Sequence, residues 1–198
     1  MAKRWFDVAV TLLLAPFAAL AVVAMAVALA VELRGSPFFV QERVGRDGAP
    51  FRMFKLRTMR HPVGGEAKKD YTVSDWTTYV FSPDDAVDPR ITRIGAFARK
   101  TSIDELPNLL NVLRGEMSLV GPRPEVPELV DQYPPAYHRR HEVLPGIAGL
   151  AQVEGRSDLA YDDIMKYDLA YVDDQSLALD LRILAKTARI VIAGAGAR

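Results

Sequence analysis

The sequence predicts an α+β protein, mainly helical, in which an N-terminal membrane helix precedes a small β-hairpin and several short amphipathic helices. Three observations carry the prediction. From Val8 to Val31 Thr11 is the sole polar side chain, and at about 1.5 Å per residue that run is long enough for a hydrocarbon core of about 30 Å. Residues 37–59 place two roughly alternating segments around Gly45-Arg46-Asp47-Gly48, the pattern of a hairpin. Leu106, Leu109, Leu110, Val112 and Leu113 recur at helical spacing, as do Leu181, Leu184, Ala185, Ala188 and Ile192 near the C-terminus.

In the first element, residues 1–34, Lys3, Arg4 and Asp7 stand at i, i+3 and i+4 spacing, so opposite charges are expected to pair on one helix face at the membrane boundary. The two basic residues also bias orientation. Pro16 cannot donate to the carbonyl of Leu12 and its ring crowds the preceding turn, which predicts a kink and two arms. Three readings of the segment stay open. A cleaved signal peptide is suggested by Ala24-Met25-Ala26 or Ala28-Leu29-Ala30. A straight span puts everything after Arg34 across the membrane from Lys3 and Arg4, and a re-entrant helix keeps both on one side.

Residues 35–198 form the second unit. Lys55, Arg57 and Arg60 lie at the far end of the hairpin, as a solvated basic edge or as a contact to phosphate or anionic lipid. Residues 61–90, with Gly64-Gly65 and the acidic Asp84-Asp85, read as a surface insertion; Trp76, Tyr79 and Phe81 pack locally or dip into headgroups. Ile91 to Lys100 reads as a short basic helix carrying Arg93, Arg99 and Lys100. It leads into TSIDELPNLLNVLRGEMSLVGPRP, residues 101–124, the stretch that organises the chain. Ser102 with Glu105 reads as a capping pair, and Pro107 is tolerable only near a helix start, so Asp104 and Glu105 belong to a first turn whose orphan N–H groups favour a ready anion at Asp104. Arg123, between Pro122 and Pro124, holds a planar fork of donors on a stiff turn. A rigid arginine near two carboxylates suits phosphoryl chemistry. The run His138-Arg139-Arg140-His141 reads as solvated or as a grip on headgroups, and the glycines of residues 145–156, ending at Arg156, permit close backbone approach to a ligand. Helices over about 162–172 and 177–193 close the chain.

Composition narrows the chemistry. The 25 basic and 25 acidic side chains cancel, so no overall field argues for nucleic acid. There is no cysteine, which removes thiolate metal sites and a cysteine nucleophile, and His61, His138 and His141 make no zinc pattern. P-loop, GxGxxG and Asp-x-Asp signatures are absent.

Taken together, KRWFD, FFVQERVG, FKLRTM, the block at 101–124, PGIAGLAQVEGR and LALDLRIL resemble the bacterial sugar transferase family, the monotopic polyprenyl-phosphate phosphoglycosyl transferases, over nearly the whole chain except about residues 61–90. The resemblance implies transfer of a sugar 1-phosphate from a UDP-sugar to polyprenyl (undecaprenyl) phosphate with release of UMP, as the first step of a bacterial glycan. It makes Asp104 the nucleophile of a covalent phosphosugar intermediate and Glu105 the ligand of Mg²⁺. Arg123, with Arg99, Lys55 and Arg156, is then expected to bind phosphate charge, and Asp168 to join the site. Because UDP-sugars are cytoplasmic, the same resemblance favours the re-entrant helix at the inner membrane, with the domain on the cytoplasmic face against membrane lipids. Two departures from the family pattern stand out: Ala15-Pro16 where a Ser-Pro is common, and Ala148 and Leu150 in PGIAGLAQV. A glycosyltransferase moving the sugar alone would release UDP instead, and a silent membrane adaptor would not need Asp104, Glu105 and Arg123. The sequence names neither the sugar nor an oligomeric state.

Overall fold

The computed structural model describes residues 2–61, 71–80, 88–155 and 159–193. The chain is mainly helical with a small antiparallel hairpin, as predicted. The hairpin pairs β1 (Phe38–Val44) with β2 (Pro50–Leu56), from Val44 opposite Pro50 to Phe38 opposite Leu56. Its turn is a 3₁₀ segment, Arg46–Gly48, in which Asp47 and Gly48 take positive φ, the conformation that Asp and Gly tolerate best. A second, unpredicted sheet joins β3 (Ser118–Val120) to β4 (Gly146–Ala148) in parallel. Its strands are three residues long and lie far apart in sequence, so no local pattern announces them.

The N-terminal helix α1 (Ala2–Leu33) is helical on both sides of Pro16, which lies inside it. It is long and apolar enough to cross a membrane. One stripe packs on the rest of the chain, and Trp5, Leu12, Leu13, Phe17, Leu20, Val23, Val27 and Val31 are exposed on its other faces. Phe6, Val10 and Ala18 pack on the cluster of Leu109, Val112, Leu119 and Ile183, while Met25, Ala26 and Leu29 share a cluster with Leu56 and Ala98.

Polar contacts fasten both ends of α1, and they replace the expected pairing among Lys3, Arg4 and Asp7. Lys3 Nζ reaches Asp180 Oδ2 at 2.6 Å, and Asp7, 1% exposed, accepts from Ser118 Oγ (2.8 Å) and the Leu119 N–H (3.2 Å). Arg4 donates to the carbonyls of Val112 and Leu113, the last turn of α3 (Leu109–Arg114), where a helix leaves carbonyls without partners. At the other end the Glu32 carboxylate accepts from the Arg93 N–H (3.1 Å) and the Ile94 N–H (3.1 Å), the first amides of α2 (Arg93–Lys100). An anion at a helix start satisfies donors and complements the dipole. Helices α2 and α3 flank the segment that holds Asp104, so α1 braces that segment from both sides.

Among the described residues four further helices follow: α4 (Pro127–Val130), α5 (Leu150–Glu154), α6 (Tyr161–Asp174) and α7 (Leu177–Ile192). The last two match the predicted closing helices. Trp76 and Tyr79 pack locally, edge-on or tilted against Tyr161, with Trp76 also on Tyr133 and Tyr137. Phe81, Asp84 and Asp85 lie outside the described residues.

Candidate active site

Between α2 and α3 the backbone reverses direction at Ser102, whose φ of 56° is left-handed. A serine there costs on the order of 1 kcal/mol that glycine would not. Its side chain makes no cap, contrary to the expected Ser102–Glu105 capping pair; its carbonyl accepts from the Glu105 N–H (3.2 Å) instead. Ile103–Asn108 then winds as a 3₁₀ turn with Pro107 inside it, so Asp104 and Glu105 occupy a first turn, as expected, but of a tighter helix.

Glu105 is the electrostatic centre. Its Oε1 accepts from Lys55 Nζ and from Arg123 Nη2, both at 2.9 Å. Burial opposes its ionisation, but Arg123 and Lys55 outweigh burial and hold the carboxyl well below the usual carboxylate range. Burial and the Arg123 charge in turn lower Lys55. Of the three, the Arg123 side chain stays most open, at 41% exposed. Asp104 differs from its neighbour. It is part-exposed and, among the described residues, takes no hydrogen bond. Burial and the adjacent Glu105 charge push its carboxyl up to about 6, against the pull of Lys55, Arg123 and Arg99. The helix start therefore does not make it the strongly favoured anion the sequence suggests, although at neutral pH it is ionised.

Lys55 enters the site because β2 is stapled to α3: Asn111 Nδ2 donates to the Arg52 carbonyl (2.7 Å), and the Phe54 N–H donates to Asn111 Oδ1 (3.3 Å). The far end of the hairpin is thus split. Lys55 faces the carboxylates, and Arg57 lies 2.8 Å from His61 Nε2.

Arg123 is held through its backbone. Pro122 and Pro124 have no N–H to give, so the segment is fixed by its carbonyls. Pro122 O accepts from the Gly146 N–H (2.8 Å), Arg123 O from Arg140 Nη2 (2.7 Å), Pro124 O from Arg43 Nη1 (3.1 Å) and Glu125 O from the Val44 N–H (3.0 Å). Close approach at Gly146 serves this same contact: a Cβ there would lie 2.0 Å from the Gly121 nitrogen. The glycine accommodates another backbone, where a ligand was expected.

Arg99 sits in the last turn of α2, where its charge favours the Asp104 anion. Asp168 does not join the carboxylate pair. It is 1% exposed and pairs with Arg140 Nη2 at 2.6 Å, behind the Arg123 segment. Burial pushes its carboxyl up to about 6, with Arg140 pulling the other way. Arg156 lies outside the described residues. Sequence reasoning missed Arg140, which is 2% exposed in the middle of a run that reads as solvated. The one usable signal is spacing: in a 3₁₀ turn such as Pro135–Glu142, side chains three apart eclipse, which sets Arg140 on the face of the half-buried Tyr137.

Among the described residues no three acidic or histidine side chains gather to hold a metal. The site offers instead two neighbouring carboxylates, of which Asp104 carries no donor and Glu105 uses one oxygen for both cations. That donor set fits a hard cation only when oxygens from a substrate complete its shell.

Residues 1–194 match the family described as bacterial sugar transferase. The chain is 44% identical over 166 residues to the galactosyl transferase CpsE of Streptococcus agalactiae serotype III, a match covering 83% of this chain and 36% of that protein. It is 39% identical to the sugar transferase EpsL of Bacillus subtilis, over 98% of this chain and 89% of EpsL. It is 38% identical, over 99% of this chain and 45% of the relative, to the UDP-N-acetylgalactosamine-undecaprenyl-phosphate N-acetylgalactosaminephosphotransferase of Aeromonas hydrophila. The chain thus spans nearly all of EpsL and less than half of the other two.

Proposed function

The chain belongs to the bacterial sugar transferase family, and from that premise we propose that it transfers a sugar 1-phosphate from a UDP-sugar to a membrane polyprenyl phosphate, releasing UMP. One observation carries the reading: a donor-free, part-exposed carboxylate at Asp104 beside a Glu105 pinned by two cations. An Asp104 oxygen attacks the β-phosphorus, the bond from that phosphorus to the bridging oxygen breaks, and UMP leaves with that oxygen. A polyprenyl phosphate oxygen then attacks the same phosphorus and returns Asp104 as a free carboxylate. Both steps balance without a proton donor, which suits a site lined by arginine and lysine. Arg123, whose side chain is part-exposed, receives the diphosphate oxygens as a planar fork. Lys55 and Arg99 add charge where negative charge develops.

Mg²⁺ fits this arrangement with Glu105 as its protein ligand and the donor's phosphate oxygens as the rest of its shell; it would neutralise diphosphate charge. The name of the Aeromonas relative supports undecaprenyl phosphate as acceptor and a UDP-sugar as donor. The bracing of α1 at both ends by one body supports the re-entrant reading, because a straight crossing would separate Arg4 and Glu32 by the width of the bilayer while both grip helices next to Asp104. The domain then faces the cytoplasm at the inner membrane.

The reading is tested by incubating the protein in nanodiscs with a panel of UDP-sugars and a defined polyprenyl phosphate. UMP is the expected nucleotide, and Asp104→Asn is expected to lower its release by more than about a thousandfold. UDP as the product, or an active Asp104→Asn, overturns the proposal.

A further inference from the structure

Two buried charges, Arg140 and Asp168, play no part in the steps above, yet they sit directly behind the arginine that does. Arg140 Nη1 donates to Tyr133 Oη (2.7 Å) and lies 3.3 Å from Tyr161 Oη; Nη2 donates to Asp168 Oδ2 (2.6 Å) and to the Arg123 carbonyl (2.7 Å). The two tyrosine hydroxyls are themselves hydrogen-bonded to each other. Burying an ion pair costs several kcal/mol per ion unless geometry and further hydrogen bonds repay it, so such a pair is a weak means of stabilising a fold. A buried guanidinium fixed on three sides is, however, a stiff anchor for whatever its fourth contact touches. Here that contact is the carbonyl of Arg123, a segment that cannot use the N–H groups of Pro122 and Pro124 to hold itself.

We propose that Arg140 is a positioning residue for the transfer reaction: held by Asp168, Tyr133 and Tyr161, it fixes the Arg123 carbonyl and so aims the Arg123 guanidinium at Glu105 and the donor diphosphate. This rests on the reaction proposed above and gives Asp168 a role through Arg140 in place of substrate contact. Arg140 touches no reacting atom. Misplacement of a charge-binding group by about 1 Å costs on the order of a hundredfold in rate, which sets the size of the effect.

The test removes both buried charges together, Arg140→Met with Asp168→Asn, so that neither is left unpaired, and checks by thermal melting that the fold is retained. The first readout is hydrogen exchange of the Gly146 and Val44 amides, which bond the same segment through Pro122 O and Glu125 O. They are expected to exchange at least about tenfold faster in the pair variant, while amides of α7 are unchanged. The second is kcat/KM for UMP release, expected to fall about a hundredfold in the wild-type background but less than about threefold when Arg123 is already alanine. Unchanged exchange at Gly146 and Val44, or an equal loss in both backgrounds, overturns the proposal. Faster exchange in a protein whose unsubstituted form releases no UMP leaves Arg140 as the anchor of the Arg123 segment and defeats the reaction instead. Asp168→Asn alone leaves the Arg140 charge buried without its counter-ion, so it is expected to lower kcat/KM when Arg123 is present and by less than about threefold when Arg123 is already alanine; a hundredfold loss that persists without Arg123 would return Asp168 to direct substrate contact and contradict the assignment.

Discussion

Asp104 and Glu105 are adjacent in sequence and opposite in environment: one carboxyl is pushed up to about 6, while Arg123 and Lys55 hold the other well below the usual range. A protonated Asp104 cannot attack phosphorus, so single-turnover UMP release should level off well above pH 6, reach half its plateau near pH 6 and fall about tenfold per unit well below it. Glu105→Gln removes the neighbouring negative charge and leaves Lys55 and Arg123 free to act on Asp104, which favours its ionised form. The acid limb of that variant should therefore move below pH 6 even as its rate drops by about a hundred- to a thousandfold. A pH–rate profile of both proteins checks this, and a limb that stays in place would show that Glu105 does not set the Asp104 titration. At this scale the sequence was most legible. Asp104, Glu105, Arg123 and Lys55 all meet, because a carboxylate pair before a helical run and an arginine between prolines are local patterns. Asp168 and Arg140 were not legible, because their pairing joins residues on separate elements and nothing in either segment records the other.

Among the elements, α1 is a brace as well as a helix long and apolar enough to cross a membrane. Its Glu32 serves the first amides of α2 and its Arg4 the last carbonyls of α3. Glu32→Gln keeps the shape and loses the charge at the α2 start, and is expected to cost about 0.3–1 kcal/mol; Glu32→Ala loses the cap as well and is expected to cost about 0.5–2 kcal/mol. Thermal melts in one detergent give both values, and an alanine variant as stable as wild type would mean that Glu32 does not brace α2. The helices α2, α6 and α7 and the hairpin are recognisable from periodicity and turn residues alone. The 3₁₀ turn at Ile103–Asn108 is not, since the same leucines suit either winding and only Ser102 in the left-handed region shifts the balance. The expected pairing of Lys3 and Arg4 with Asp7 gave way because each found a buried or helix-end partner in a remote element, where an ionic contact is worth more than on an exposed helix face.

For the whole molecule, the proposed re-entrant reading of α1, supported by the contacts of both its ends with the helices that flank Asp104, puts those ends on one side of the membrane. Cysteines introduced in place of Ala2 and of Ser74, in a chain that has none, should react alike with a membrane-impermeant maleimide in spheroplasts and in inverted vesicles; opposite labelling would restore the straight span. In the proposed reaction a water-soluble donor and a lipid acceptor use one carboxylate in turn, and the first half of that exchange can be isolated. Mass spectrometry of the protein mixed with UDP-sugar in the absence of polyprenyl phosphate measures it directly. A peptide containing Asp104 is expected to be heavier by one sugar phosphate, lost on adding acceptor and absent from Asp104→Asn, whereas UMP release with no adduct on that peptide would contradict a covalent step at Asp104.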